Sequence, residues 1–335
     1  MIYQKFDDFL SFLKNKSILI TTHNLVDVDG FVSSYLLKYL LNLILSNPNI
    51  EIKFSEITKQ VKEFREKFSN KHPDFDFTYN TKVDLSNFEV MIILDTNNLD
   101  LVEFESQFDI DHSQIPFIFV DHHLNLNKRY NNNIISKNLI YDNFTSTAEI
   151  IYELSKYSQV NFPPLYRSLI LAAILTDSGF FKYSNNDTLK RSSELLTKEI
   201  EIQDILTLLT YNVDISEKIA KIKGMQRAQL IKIDKYLIGI TKVSSFGASV
   251  ASMLISLGFD IAIVSSKEKS EFKITTRARS DICLETGLHL GKILNNVSEG
   301  SGGGHDGAAS VSGIYDLKVA INEILENIKQ ILIMS

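Results

Sequence analysis

Uninterrupted apolar runs bounded by polar residues constrain the fold of this 335-residue chain more than any other feature. They form the predicted strands Ile18–Thr21, Val90–Leu94 and Phe117–Val120. Such runs are typical of strands that are buried on both faces of a parallel sheet. Helical patterns alternate with them, including one from Gly30 to Ser46. The sequence therefore predicts an α/β fold whose N-terminal part is a doubly wound, mainly parallel sheet with helices on both faces.

The second half of the chain changes pattern twice. From Asp187 to Gln229 the pattern is helical, and a further alternation of strands and helices follows. Within it we expect a helix near Cys283–Leu294, then a glycine-rich turn and a C-terminal helix from Leu317. The predicted organisation is a domain over 1–190, a helical connector over 191–230 and a smaller C-terminal α/β domain over 231–335.

Composition excludes several classes of protein. Lysine and arginine number 35 and aspartate and glutamate 41, which gives a net charge of −6. Proteins that coat duplex DNA are usually basic, so stable duplex DNA binding is not expected. The single cysteine, Cys283, excludes an intrachain disulfide and a cysteine-rich zinc site. The longest apolar stretch, Phe31–Leu45, is interrupted by polar residues, and the N-terminus has no signal-peptide pattern. We therefore expect a soluble, cytoplasmic protein with no membrane partner.

Acidic and histidine side chains follow each of the three predicted strands. They are His23, Asp27 and Asp29 after the first strand, Asp95 after the second, and Asp121, His122 and His123 after the third. Ligands of open α/β sheets bind beyond the carboxyl ends of the strands, so these side chains are expected at one edge. A mixed set of imidazoles and carboxylates suits divalent metals such as manganese.

Each of these features alone has a simpler explanation, since Asp29 or Asp177 could cap a helix N-terminus. Their occurrence at three strand ends favours a metal site. Close carboxylates raise each other's pKa unless cations neutralise them. Two metal ions bridged by a shared aspartate would satisfy that requirement.

Asp121-His122-His123 after an apolar strand resembles the signature of the DHH phosphoesterase superfamily. That superfamily includes RecJ-type exonucleases, short-oligonucleotide ribonucleases, cyclic-di-AMP phosphodiesterases and family II pyrophosphatases. Three further motifs occur in family order: His23–Gly30 resembles the first, Leu94–Thr96 the second and Leu175–Phe180 the fourth. Val26 and Val32 depart from the usual residues of the first motif, but neither change removes a ligand.

The resemblance implies a role for each motif residue. One metal would bind His23, Asp27 and Asp95, and the second would bind Asp29, Asp95, His122 and Asp177, with Asp95 bridging. Asp121 would orient a ligand, and His123 would face the substrate phosphate. The catalytic set would be Asp95, Asp121, His122 and His123. The implied cofactors are two divalent metal ions, Mn²⁺ first, with Mg²⁺ or Co²⁺ as alternatives.

A second motif lies in the C-terminal domain. Gly302-Gly303-Gly304-His305 resembles the glycine-rich motif of the DHH-associated subdomain, with Ser310 in place of its final glycine. The resemblance implies that Gly302, Gly303, Gly304 and His305 bind substrate. Arg279 matches the arginine of that subdomain's S-x-R-S element, and Arg277 is a second candidate. A flexible turn and an exposed arginine are the alternative interpretation.

The resemblance implies a phosphodiesterase that hydrolyses short oligonucleotides, RNA of a few nucleotides, to nucleoside 5′-monophosphates. A cleft between the domains would limit substrate length, and Phe180, Phe181 and Tyr183 are candidates for base stacking. Hydrolysis of cyclic-di-AMP or its linear product pApA, and removal of the 3′-phosphate of 3′-phosphoadenosine 5′-phosphate, remain enzymatic alternatives. A nucleotide-binding regulator is the non-enzymatic alternative. The oligomeric state, monomer or homodimer, is left open.

Overall fold

The computed structural model describes residues 2–46, 48–103, 115–124, 128–210, 213–268, 271–298, 300–314 and 316–334. The chain divides into two compact units, Met1–Tyr211 and Asn212–Ser335. This division falls within the range predicted as a connector, whose helices belong to one unit or the other. Among the described helices, none combines the length and the apolar character needed to cross a bilayer.

The first unit alternates strands and helices. In chain order it contains α1 (Ile2–Leu13), β1 (Ser17–Thr22), β2 (Leu25–Val26), α2 (Val28–Ile44), β3 (Asn49–Ile52), β4 (Glu56–Ile57), α3 (Lys59–Lys71), β5 (Val90–Leu94), β6 (Phe117–Asp121), β7 (Leu139–Ile140), α4 (Thr147–Tyr157), α5 (Pro164–Asp177), α6 (Asn186–Leu195) and α7 (Ile202–Leu209). The mixed α/β fold with a parallel sheet flanked by helices confirms the predicted fold class.

Five of these strands form one parallel sheet in the order β3-β1-β5-β6-β7. Successive side chains of a strand point to opposite faces. Ile18 and Ile20 therefore join the main core with α2, α4 and α5, whereas Leu19 joins a smaller core. That smaller core contains Val102 and Ile115 from the segments around the strands. Burial on both faces explains why the strands are apolar without alternation.

The strand order creates a switch point between β1 and β5. From β1 the chain proceeds to β3 on one side and later returns to β5 on the other side. The ends of the two strands are aligned, because Thr22 pairs with Leu94, and Leu94 pairs with Val120 of β6. Ligands of open α/β sheets bind at such switch points, beyond the carboxyl ends of the strands.

The second unit is a smaller α/β structure. It contains α8 (Ile215–Gln226), β8 (Gln229–Ile233), β9 (Tyr236–Lys242), α9 (Gly247–Ser256), β10 (Ile261–Glu268), β11 (Glu271–Ala278), α10 (Ser280–Thr286), α11 (Leu290–Asn295), β12 (Gly300–Gly304), β13 (Ala308–Gly313) and α12 (Leu317–Met334). Its sheet has the order β12-β13-β11-β10-β9-β8, in which only the β9–β10 pair is parallel.

Two local predictions for the second unit were wrong. The single helix expected over Cys283–Leu294 is two helices, because Gly287 has a φ of +71° and ends α10. The expected glycine-rich turn is strand β12, which pairs antiparallel with β13 from Gly300 to Gly304. A Cβ at Gly302 would lie 2.4 Å from the carbonyl oxygen of Leu294. Glycine is therefore needed there for close packing on α11 rather than for a turn.

Candidate metal centre

The loop after β1 and the start of α2 hold three of the predicted ligands. Asp27 is the N-cap of α2, and its side chain accepts a hydrogen bond of 3.0 Å from the amide of Gly30. Asp29 lies in the first helical turn and is fully buried. His23 lies between the strand and the cap, with its Nε2 atom 3.9 Å from Asp27 Oδ2. The helix cap thus fixes this loop at the edge of the sheet.

Asp95 follows β5 directly and lies at the centre of the site. Its φ of +58° is in the left-handed region, which is unfavourable for a residue other than glycine and is found most often at functional sites. Helix α2 approaches it closely at Gly30, where a Cβ would lie 2.7 Å from Thr22 Oγ1 and 3.2 Å from Asp95 Oδ2. Glycine at this position therefore leaves room for the Asp95 carboxylate.

The loop after β6 brings in the two histidines. Asp121 is buried, and its Oδ1 accepts hydrogen bonds from the amide of His123 at 3.2 Å and from the Nδ1 atom of the same residue at 2.8 Å. The residue that Asp121 orients is thus His123, whose side chain is 58% exposed. His122 is the more buried of the two and lies nearer the carboxylates.

Together these segments form two groups of possible metal ligands that share Asp95, and Asp95 forms a third such group with His122 and His123. The first contains His23, Asp27 and Asp95, the second contains Asp29, Asp95, His122 and Asp177, and within each group the ligand atoms lie within 4.8 Å of one another. Nε2 of His122 is 3.0 Å from Asp177 Oδ2 and 3.3 Å from Asp95 Oδ1. Nε2 of His23 is 3.6 Å from the other oxygen of Asp95. All six predicted metal ligands therefore lie together, and the role of each remains a prediction.

These groups fit divalent metal ions. Asp95 Oδ2 and His122 Nε2 are buried, and neither has a hydrogen-bond partner in correct geometry within the described part of the chain. Buried polar atoms are nearly always satisfied, so an atom without a partner needs an explanation. Imidazole nitrogens and carboxylate oxygens that converge within 4.8 Å of one another are the donor set of a divalent-metal site.

The pKa values of the site depend on its density of charge. Burial alone would lower the pKa of His23, but Asp27 and Asp95 raise it to about 10. Burial is likewise outweighed at His122, where Asp177 and Asp95 raise the pKa to about 11. Burial raises the pKa of Asp177 to about 6, with the charge of Asp95 adding to it. Without metal, protons therefore neutralise part of this cluster.

Helix α4 contributes contacts that the sequence analysis did not predict. The amides of Thr147 and Ala148 donate to the two oxygens of Asp29 at 2.6 and 3.0 Å. The hydroxyl of Thr147 lies 3.2 Å from Asp95 Oδ1. In the sequence, the capping-box spacing from Ser146 to Glu149 indicates where α4 begins, and Ser146 is the observed N-cap. That spacing does not indicate which side chains the helix contacts.

The segment after Asp177 carries the aromatic candidates. Gly179, Phe180 and Phe181 are three successive residues with φ values of 57°, 57° and 68°. Phe181 packs against the main core, whereas Phe180 and Tyr183 are 57% and 69% exposed. Base stacking by the two exposed rings remains a prediction.

In the second unit, the two candidate arginines differ in their surroundings. Arg279 donates to Asp281 at 3.1 Å and to Asp260 at 3.2 Å, so its guanidinium is already paired with carboxylates. Nε of Arg277 is buried without a hydrogen-bond partner in the described residues. Arg277 also lines a pocket of about 270 Å³ with Gly303 and Gly304.

The remaining substrate candidates of this unit belong to the β12–β13 hairpin. Gly304 has a φ of +146°, and the exposed His305 follows it. The amide of His305 bonds the carbonyl of Ala308 at 2.8 Å, which closes the hairpin. Gly302 faces α11, as described above, rather than the pocket.

Known proteins resemble this chain in sequence and in fold. Residues 17–174 match the DHH family, N-terminal domain. A relative, an uncharacterized protein of Methanocaldococcus jannaschii, is 28% identical over 324 residues, covering 96% of this chain and 94% of the relative. The crystal structure of an exopolyphosphatase-related protein from Bacteroides fragilis matches with a TM-score of 0.69 and 17% identity, covering 98% of this chain and 97% of that chain. At this identity the structural match shows a common fold.

Proposed function

Because its N-terminal unit makes this chain a member of the DHH superfamily of phosphoesterases, we propose that it is a two-metal phosphodiesterase. Its substrates would be short oligonucleotides, RNA of a few nucleotides, and its products nucleoside 5′-monophosphates. The observation that carries the proposal is the pair of ligand groups that share Asp95, each with one imidazole.

The chemistry follows from this donor set. Bound divalent ions, manganese in this proposal, would supply Lewis-acid polarisation of a phosphoryl oxygen and a water nucleophile at neutral pH. His23, Asp27 and Asp95 would hold one ion, and Asp29, Asp95, His122 and Asp177 the other. Asp95 would contribute its carboxylate to both ions.

His123 would contact the substrate phosphate. The hydrogen bond to Asp121 raises the pKa of His123, which favours the protonated, cationic ring. Asp121 occupies Nδ1, so the Nε2–H of the protonated ring would donate to a phosphate oxygen. The exposure of His123 makes it accessible to a substrate, whereas Asp121 would act by positioning it.

In the second unit we assign the phosphate contact to Arg277 rather than to Arg279. A buried guanidinium nitrogen without a partner, beside glycines that leave their backbone accessible, is suited to a phosphate oxygen. Arg279 has carboxylate partners that a phosphate would need to displace. The net charge of −6 supports short substrates, since long nucleic acids are held by many cations.

A substrate panel tests the proposal. The manganese-loaded chain is given di- to pentaribonucleotides, their deoxy counterparts, cyclic-di-AMP, pApA, 3′-phosphoadenosine 5′-phosphate and inorganic tripolyphosphate. The last is included because one structural neighbour is described as exopolyphosphatase-related. We expect 5′-monophosphates from the shortest ribonucleotides, with rates that fall steeply as length increases. Turnover that persists in excess chelator, or no cleavage of any oligonucleotide, would overturn the proposal.

A further inference from the structure

A pocket of about 480 Å³ opens beside the candidate metal centre in the first unit. Four of its lining residues, His23, Asp27, Asp95 and His123, belong to the candidate metal centre. Asn97 and Asn98 also line it, and Leu101 and Leu124 form its apolar wall. The volume lies within the roughly 300–1,000 Å³ of pockets that bind small molecules. Any group held here would be next to a phosphate at the metal centre.

Two leucines of this wall are exposed. Leu101 is 50% and Leu124 71% exposed, although burying a leucine is favourable. Single exposed leucines are common, but two that line one polar active-site pocket form an apolar surface suited to a ligand.

Both leucines are held in place by hydrogen bonds of their backbones. The carbonyl of Leu101 accepts from the amide of Asn24 at 2.7 Å, directly after the candidate ligand His23. The carbonyl of Leu124 accepts from Nδ2 of Asn97 at 3.2 Å, and the same amide group donates to Asp121. The apolar wall is therefore fixed to the residues that build the metal centre, and it is organised before a ligand binds.

The charge of the pocket excludes one kind of occupant. Among its described lining residues none is lysine or arginine. Lys128, which contacts Asn98, is paired with Asp100 at 2.9 Å. The protonated His123 and the metal ions would already hold the scissile phosphate, and beyond them the described lining offers no lysine or arginine to a chain of further phosphates.

We propose that this pocket binds the nucleoside next to the scissile phosphate, with Leu101 and Leu124 contacting the face of its base. This inference rests on the proposed function and adds the reason for its specificity: a nucleoside is accepted on this side, and a polyphosphate chain is not. The flanking amides of Asn97 and Asn98 would give a polar rim to an otherwise apolar contact.

Binding of a reaction product tests the pocket without turnover. Titration calorimetry of the manganese-loaded chain compares AMP, inorganic phosphate and tripolyphosphate. The variants are Leu124→Ala, the double variant Leu101→Ala/Leu124→Ala, and Leu124→Lys. The control is Leu43→Ala, which removes a leucine that is 55% exposed and does not line the pocket. Thermal melting of each variant checks its folding.

We expect AMP to bind the wild-type protein at least tenfold more tightly than phosphate does. The double variant should lose about tenfold in AMP affinity, which corresponds to part of the free energy of burying one leucine side chain. The affinity of the double variant for phosphate should be unchanged, and Leu43→Ala should bind all three ligands as wild type does. Leu124→Lys should bind tripolyphosphate more tightly than wild type does. Equal affinities for AMP and phosphate, or AMP affinity retained in the double variant, would overturn the inference. Failure of the proposed function would appear separately, as a wild-type protein that binds AMP but cleaves no oligonucleotide.

Discussion

The amide of Thr147 donates a hydrogen bond of 2.6 Å to Oδ2 of Asp29, across 118 positions of the sequence. The next amide of α4 bonds the other oxygen, so the N-terminus of this helix holds both oxygens of a buried carboxylate. A helix N-terminus stabilises negative charge. A candidate metal ligand is thus positioned by a helix that contributes no metal ligand itself.

The hydroxyl of Thr147 gives this contact a direct test. Thr147→Val removes the bond to Asp95 but keeps the shape and the backbone bonds to Asp29. Loss of such a supporting contact typically lowers metal affinity or activity by about 10- to 100-fold. We expect weaker manganese binding by calorimetry, with rescue in Thr147→Ser. Equal manganese affinity in Thr147→Val and wild type would show that the hydroxyl does not position Asp95.

Replacement of Asp95 should affect both metal groups at once. Asp95→Asn keeps the size of the side chain but removes the charge shared between the groups. We expect metal content measured by mass spectrometry to fall for both ions, and activity to fall by orders of magnitude. Asp204→Asn, a surface carboxylate of the same unit, is the control. An Asp95→Asn protein that retains two ions would refute the bridging role.

Metal binding should release protons. The carboxylates raise the pKa of His23 to about 10 and of His122 to about 11, so both rings are protonated at pH 7 in the metal-free protein. A ligating imidazole must be neutral, hence each metal displaces a proton and affinity rises with pH. Calorimetry in buffers of different ionisation enthalpy should record at least two protons released at pH 7, because burial and the charge of Asp95 also raise the pKa of Asp29. Below pH 6, protonation of Asp177 should weaken binding further. Proton-independent binding would contradict this arrangement.

Local pattern was sufficient to predict β1, β5 and β6 and the residues at their ends, but not the outer strands β3 and β7 of the same sheet. The spacing and polarity of side chains over a few residues are enough to identify a buried strand. The carboxyl ends of parallel strands lie at one edge of the sheet, so the residues that follow them are expected together. Contacts between distant segments were not predictable in this way, as Asp29 and Thr147 illustrate. The choice between Arg277 and Arg279 likewise depends on Asp260, which lies 19 positions before Arg279 and becomes its partner only in the folded sheet.

The two arginines should therefore differ in what their replacement changes. Arg277→Ala is expected to raise KM by roughly 10- to 150-fold, the equivalent of a lost hydrogen bond to a charged group. Metal content should not change, and Arg277→Lys should restore binding only in part, because an ammonium does not reproduce the guanidinium fork. Arg279→Ala should instead lower the melting temperature with little effect on KM, since it loses contacts to carboxylates of its own unit.

If Arg279→Ala raises KM and Arg277→Ala does not, Arg279 is the substrate-binding arginine, as the sequence motif implies. His305→Ala provides a second comparison on the same hairpin. If the exposed imidazole binds substrate as the motif implies, its removal should raise KM without loss of metal, whereas wild-type kinetics would remove His305 from the site.

The stability of helix α4, which positions Asp29, should depend on a buried ion pair behind it. Glu149 is fully buried, and Arg191 of α6 bonds it at 2.9 Å. Breaking a buried pair from one side leaves an uncompensated charge, whereas removal of both charges is often nearly neutral. Arg191→Met should therefore lower the free energy of unfolding by about 3–5 kcal/mol. The double variant Arg191→Met/Glu149→Gln should recover most of this loss, because Gln can still accept the amide of Thr145.

Urea unfolding followed by circular dichroism measures these differences, with Lys71→Ala as the control. Lys71 pairs with Asp204 at 2.6 Å, but both side chains are exposed, so its loss should change the free energy of unfolding by less than about 1 kcal/mol. Because α4 fixes Asp29, manganese affinity in Arg191→Met should fall together with stability and return in the double variant. If Arg191→Met loses stability but binds manganese as wild type does, the hydrogen bonds of Thr147 and Ala148 hold Asp29 without help from the ion pair.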